Sequence, residues 1–109
     1  MLRFPVVLLA GALTDLESVY LYILDKSGNA AVAAGFTDRI IDRAERIGDV
    51  PHGGAPRPDL GEGLRLVPFE RSAVIIYRVA GEIVEITNMF YGGRDYEALM
   101  RGRMDDRDD

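Results

Sequence analysis

Three β-type runs in the second half of the chain constrain its fold more than any other feature. Leu64–Phe69, Ala73–Val79 and Ile83–Phe90 are rich in Val, Ile and aromatic residues. Only Glu70-Arg71-Ser72 and Ala80-Gly81-Glu82 separate them, and these are hairpin spacings. The middle run, "AVIIYRV", is apolar nearly throughout, as a central strand covered on one or both faces is.

The first half has a different period. Arg3–Leu8 carries Phe4, Val6 and Val7 and reads as a further strand. Pro5 has no N–H, which places this strand at an edge or puts the proline at its start. A helix begins between Ala10 and Thr14 and runs to about Lys26, because Leu13, Leu16, Val19 or Tyr20, and Ile23 step by three and four. Asp15 and Glu17 lie in its early turns, where the helix dipole favours negative charge. Ser27-Gly28-Asn29 reads as a turn. A second helix from about Ala30 to Ile47 carries the stripe Phe36, Ile40, Ala44 and Ile47 opposite a charged face, with Asp42 and Arg46 at pairing distance. The stretch Gly48–Gly63 is rich in Gly, Pro and Asp and reads as a loop long enough to expect a role for it. After the last strand, "GGRD" leads into a short helix from Tyr96 to about Met100. The predicted class is α+β: a helical hairpin packed on a largely antiparallel four-stranded sheet, in the order β-α-α-β-β-β with a short C-terminal helix.

The opening residues also resemble an export signal, with Arg3 before an apolar run and the small residues Ala10-Gly11-Ala12. Leu13 lies in register with Leu16, Tyr20 and Ile23, however, so the run flows into a helix stripe and native structure is expected. The 109 residues make one domain, 1–101, followed by a charged tail, 102–109, expected to be flexible. Cysteine is absent, which excludes disulfides and thiolate metal sites and fits a reducing compartment, so a cytoplasmic location is expected. No apolar stretch approaches the roughly 20 residues of a membrane span.

No standard catalytic pattern is complete. His52 is the sole histidine, which excludes two-histidine metal sites, and neither a metal nor a cofactor is expected. "HGG" has the composition of an oxyanion-hole segment, but there is no GxSxG and no second histidine. The glycine-rich loop lacks the Gly-Lys-Ser/Thr of a phosphate-binding loop. Ser18, Ser27 and Ser72 have no base beside them in sequence. A net charge of −5 opposes non-specific nucleic-acid binding. Twelve of the thirteen basic residues are arginine, the residue suited to bidentate pairing with carboxylates or phosphates. What remains is a set of polar groups at strand ends: Arg57, Arg65, Arg71, Asn88, Tyr91, Arg94 and Asp95.

The segments "DLESVYLYI" (Asp15–Ile23), "VPHGGAPRPDLGEGLR" (Val50–Arg65), "VIIYRV" (Val74–Val79) and "VEITNMFYGGRD" (Val84–Asp95) together resemble the ParE/RelE toxin superfamily of type II toxin–antitoxin modules. Members show a DL-x-x-I-x-x-YI first helix, a P-x-x-G loop leading to LR, an I-x-Y-x-V strand, and a last strand ending in HG-x-RD. The resemblance spans about Leu2 to Met100 and implies the fold read from periodicity above.

It also implies function. RelE-like members cut messenger RNA on the ribosome with several basic residues and are strongly basic. This chain is acidic, with Asn88 where the family often has Arg, Tyr91 where His is frequent, and Phe69 near a commonly basic position. The resemblance therefore implies the ParE-like branch, a non-enzymatic toxin that poisons DNA gyrase by protein contact. A ribosome-dependent ribonuclease and an inactive member that only binds antitoxin stay open as alternatives. The implied partner is a ParD-like antitoxin in a hetero-oligomer, wrapping the hairpin and the sheet edge with a segment that folds on binding. Arg57, Arg65, Arg71, Tyr91, Arg94 and Asp95 are the expected antitoxin- or target-binding residues, without sequence-specific nucleic-acid binding.

Overall fold

The computed structural model describes residues 3–92 and 95–107. A short strand, β1 (Val6–Leu8), leads into α1 (Ala10–Ser27) and α2 (Ala30–Arg46). The last residue of α1 and the two that follow it divide the work of the turn. Gly28 takes the left-handed conformation that ends α1, at φ 65°, and its N–H donates to Leu24 O at 2.8 Å. Asn29 caps α2, its side chain accepting from the N–H groups of Ala31 and Val32. Ser27 Oγ accepts from Asn29 N–H at 3.1 Å.

A single 3₁₀ turn (Ile47–Asp49) follows, then β2 (Ala55–Pro56), β3 (Arg65–Phe69), β4 (Ala73–Ala80), β5 (Ile83–Tyr91) and α3 (Tyr96–Arg107). The sheet order is β1-β5-β4-β3-β2, with β1 parallel to β5 and every other pair antiparallel. The sheet thus has five strands rather than four. The extra one, β2, lies inside the expected loop and consists of two residues paired with Arg65 and Leu66. It is too short for any periodicity to reveal. β1 lies at an edge, as Pro5 requires, and Pro56 lies at the other.

The hairpin α1–α2 covers one face, over a core that includes Ile40, Ala44, Ile75, Tyr77 and Ile86. The other face carries a smaller cluster of Leu60, Leu64, Ile76, Phe90 and Met100, and α3 supplies part of its cover. The middle strand β4 is therefore buried on both sides. β5 changes phase on the way. Tyr77 pairs with Ile86 but Ile76 with Asn88, so Thr87 is an extra residue, a bulge. Val84 and Ile86 face the hairpin before it and Met89 after it, while Phe90 joins the opposite cluster.

Three expectations are corrected. Leu13 is not in the core: it is 54% exposed, and the fully buried residue of that turn is Ala12. Asp15 lies beyond the first turn of α1, where the dipole acts, and it is buried, 8% exposed, for a reason given below. The last helix is not short, because residues 102–107 of the expected tail continue α3. Apart from Gly102 that stretch holds no helix breaker, and Arg and Met are good helix formers. No helix among the described residues is long and apolar enough to cross a membrane.

Candidate interaction surface

The residues that carry the family-like motifs converge on two hydrogen-bonded locks. In the first, the Tyr77 hydroxyl donates to Pro51 O at 2.9 Å and accepts from Gly54 N–H at 2.9 Å. Arg65 donates through Nη1 to the carbonyls of His52 and Gly54, at 2.9 and 2.8 Å. Pro51, Gly54, Arg65 and Tyr77 are the P-x-x-G, LR and I-x-Y-x-V signatures. Together they fasten the Pro/Gly segment over a tyrosine buried in the main core. Gly54 is required by this contact, since a Cβ there would lie 2.5 Å from the Tyr77 oxygen. The "HGG" segment is thus a structural closure, with the Gly54 N–H already taken. The His52 ring lies edge-on to Phe4.

In the second lock, Asp15 Oδ2 accepts from Asn88 Nδ2 and from the Met89 N–H, both at 3.1 Å. β1 ends opposite Ile86, so beyond it β5 has no neighbouring strand on that side. Asp15 supplies an acceptor that a strand would have supplied, which offsets the cost of burying an unpaired N–H. Asn88 is here a partner of the first helix.

A third assembly surrounds the start of α3. Asp95 caps the helix, its Oδ1 accepting from Ala98 N–H at 3.1 Å. Arg57 donates to both carboxylate oxygens of Asp59, at 2.9 and 2.8 Å, and to Glu97 Oε2 at 2.8 Å. Its guanidinium lies 6.0 Å from the centre of the Tyr96 ring. The hydrogen bond from Arg57 holds the Asp59 carboxyl below its ordinary value, and that bond in turn raises the Arg57 pKa. The sequence reading missed Asp59, Tyr96 and Glu97 as partners. Their signal was weak: an i,i+2 Arg-Asp pair in a loop, and acidic and aromatic residues opening a helix.

Tyr91 packs its ring edge-on against Phe36 and Tyr22, at 5.0 and 5.4 Å between centres. Arg71 sits in the β3–β4 turn, exposed, beside a cleft of about 130 Å³ that Tyr91 and Tyr96 also line. The expected residues therefore separate. Arg57, Arg71, Tyr91 and Asp95 gather around the start of α3, whereas Arg65 belongs to the loop lock. Arg94 lies outside the described residues.

This architecture recurs in solved structures. A chain of the chromosomal ParDE toxin–antitoxin system from P. aeruginosa superposes with a TM-score of 0.72 at 22% identity, over 83% of this chain and 97% of that one. A chain of the toxin–antitoxin complex RelBE2 from Mycobacterium tuberculosis superposes with a TM-score of 0.59 at 16% identity, over 83% and 99%. Both likenesses are of fold. No curated protein matches the sequence. The family model of the ParE toxin of the type II toxin–antitoxin system parDE matches residues 6–96, through both locks and up to the first residue of α3. The chain belongs to the ParE toxin family of type II toxin–antitoxin systems.

Proposed function

We propose that this chain is the toxin of a ParDE-type module, acting in the cytoplasm by binding and poisoning DNA gyrase and held inactive by a ParD-like antitoxin. One observation carries the reading against ribosome-dependent cleavage. Of the described polar groups at the strand ends, Arg65 is committed to two loop carbonyls, Arg57 to Asp59 and Glu97, and Asn88 to Asp15, which leaves Arg71 as the one cation of that set without such a partner. A phosphoryl-transfer centre needs cations free to stabilise developing charge. A net charge of −5 likewise opposes docking on ribosomal RNA. Contact with antitoxin or target is assigned to the surface around the start of α3, with Arg57, Arg71, Tyr91 and Asp95; Arg65 acts there through the loop it holds, and Arg94, outside the described residues, is proposed as a contact from the sequence alone.

The test is a supercoiling and cleavage-trapping assay with purified gyrase and antitoxin-free protein. Dose-dependent inhibition that the antitoxin reverses is the expected result. No inhibition at large excess removes the gyrase reading. Cleavage of a transcript on translating ribosomes would then select a ribonuclease. Antitoxin binding without growth arrest would select an inactive member.

A further inference from the structure

The β3–β4 turn is built against its own backbone preference. Glu70 and Arg71 are both left-handed, at φ 48° and 62°, and Ser72 N–H closes the turn on Phe69 O at 3.3 Å. Two-residue turns with positive φ at both central positions favour Asn-Gly or Asp-Gly, since side chains at such angles are strained. No other described residue except glycine has positive φ. Two contacts hold the turn in place. Arg39 on α2 grips both oxygens of Glu70, at 2.9 and 3.1 Å, and Gly92 N–H donates to Ser72 O at 3.0 Å. Retained strain of this kind clusters at functional positions.

What the turn presents is Arg71. Among the described residues its guanidinium has no ion pair. Below it lies the cleft of about 130 Å³, walled by Val74, Phe90, Tyr91 and Tyr96. Those walls are braced: Phe90 stacks on Tyr96 at 6.3 Å, and Tyr91 is wedged against Phe36. The volume resembles the roughly 150 Å³ of a benzene-binding cavity and falls below the roughly 300 Å³ at which small-molecule pockets begin. It fits one apolar side chain, the usual size of an anchor in a protein interface.

We propose that Arg71 and this cleft form a docking site for a partner protein segment in which an acidic residue stands beside an apolar one. The carboxylate pairs with Arg71 and the apolar side chain fills the cleft walled by Val74, Phe90, Tyr91 and Tyr96. Charge complementarity selects this occupant. A nucleic-acid strand needs a track of cations, whereas among the described residues Arg71 is the one cation lining the cleft, on a chain of net charge −5. The site deepens the proposed function, and rests on that reading for its partner being a protein.

The test is an NMR amide titration of the full chain with the capped peptide acetyl-Ala-Asp-Ala-Leu-Ala-amide, and with its Asn counterpart. Saturable shifts are expected at Arg71, Ser72, Val74 and Tyr96. The Asn peptide should bind at least tenfold more weakly, and Arg71→Asn should lose affinity to the same extent. Asn tolerates the left-handed turn, so the thermal midpoint of that variant should be unchanged or raised, a combination a merely structural arginine would not give. Equal affinity for the Asn peptide, shifts confined to other regions, or no saturation would each overturn the site. So would a single-stranded oligonucleotide that occupies the same amides more tightly than the peptide. The titration uses neither gyrase nor antitoxin, so its failure leaves the toxin reading standing, and the reverse also holds.

Discussion

The two faces of the sheet are built on different principles. The hairpin face is covered by two long helices over a continuous core, with the Tyr77 and Asp15 locks at its margins. Among the described residues the opposite face has five buried apolar side chains and one helix, whose first turn is held by a surface arginine clamp. The first face sets whether the chain folds. The second has the smaller apolar cluster, a property of regions that open locally below the global unfolding free energy. A scaffold and an adjustable surface thus share one sheet, and of the expected binding residues Arg57 and Asp95 stand on the adjustable side while Tyr91 packs on the hairpin.

The largest effect should come from the scaffold. Ile40→Ala removes a fully buried side chain from the middle of α2 and should cost about 2–5 kcal/mol of global stability. Urea unfolding followed by circular dichroism reads it; a loss confined to α3 amides would abolish the distinction between the faces. Asp15→Ala should come next, at about 1–3 kcal/mol, because Met89 N–H and Asn88 lose their acceptor. Asp15→Asn keeps an acceptor oxygen and should lose less, which the same unfolding curves would resolve.

Effects on the second face should be smaller. Arg71→Gly should stabilise the chain by about 1 kcal/mol through relief of turn strain, partly offset by the greater freedom of glycine when unfolded. A lowered thermal midpoint would mean that the turn is not strained. The clamp at α3 should show the least effect on global stability but a distinct pH signature. Asp59 has its folded pKa lowered by the Arg57 hydrogen bond, so what it contributes is fully present above its unfolded value of about 3.9. It is lost only as pH falls through the lowered folded value. Hydrogen exchange of α3, corrected for its intrinsic pH dependence, should therefore be steady from pH 8 to 5 and accelerate below about pH 4, with core amides of α2 unaffected in the same range. Acceleration already at pH 6 would assign the clamp to another group.

Much of this was legible in the chain. The stripe Phe36, Ile40, Ala44 and Ile47 is buried as its spacing requires, and β3, β4 and β5 fall within a residue or so of the predicted runs. The helix expected after "GGRD" starts at Tyr96, with Asp95 as its cap. Leu13 misled because Leu16, Val19 and Ile23 do lie on the buried side, and a three-four pattern does not say where the stripe stops. Leu60 was hidden because a single leucine in a Gly/Pro loop has no period, yet it is fully buried under α3.

What the sequence determined by itself is local. Helix and strand type, the hairpins, the edge position of the proline strand and the turn chemistry of Gly28 and Asn29 all follow from residues within a few positions of one another. Tertiary structure decided the partners. Asp15 meets Met89 across 74 residues, Tyr77 meets Pro51 across 26, and Arg57 meets Glu97 across 40. It also decided the parallel pairing of β1 and the bulge at Thr87 that sends Phe90 to the face opposite Met89. A side chain's propensity is a property of its own backbone and near neighbours. Whether a carboxylate is spent on a strand edge, or an arginine is left free beside a cleft, depends on which buried polar groups remain unpaired once the layers have packed.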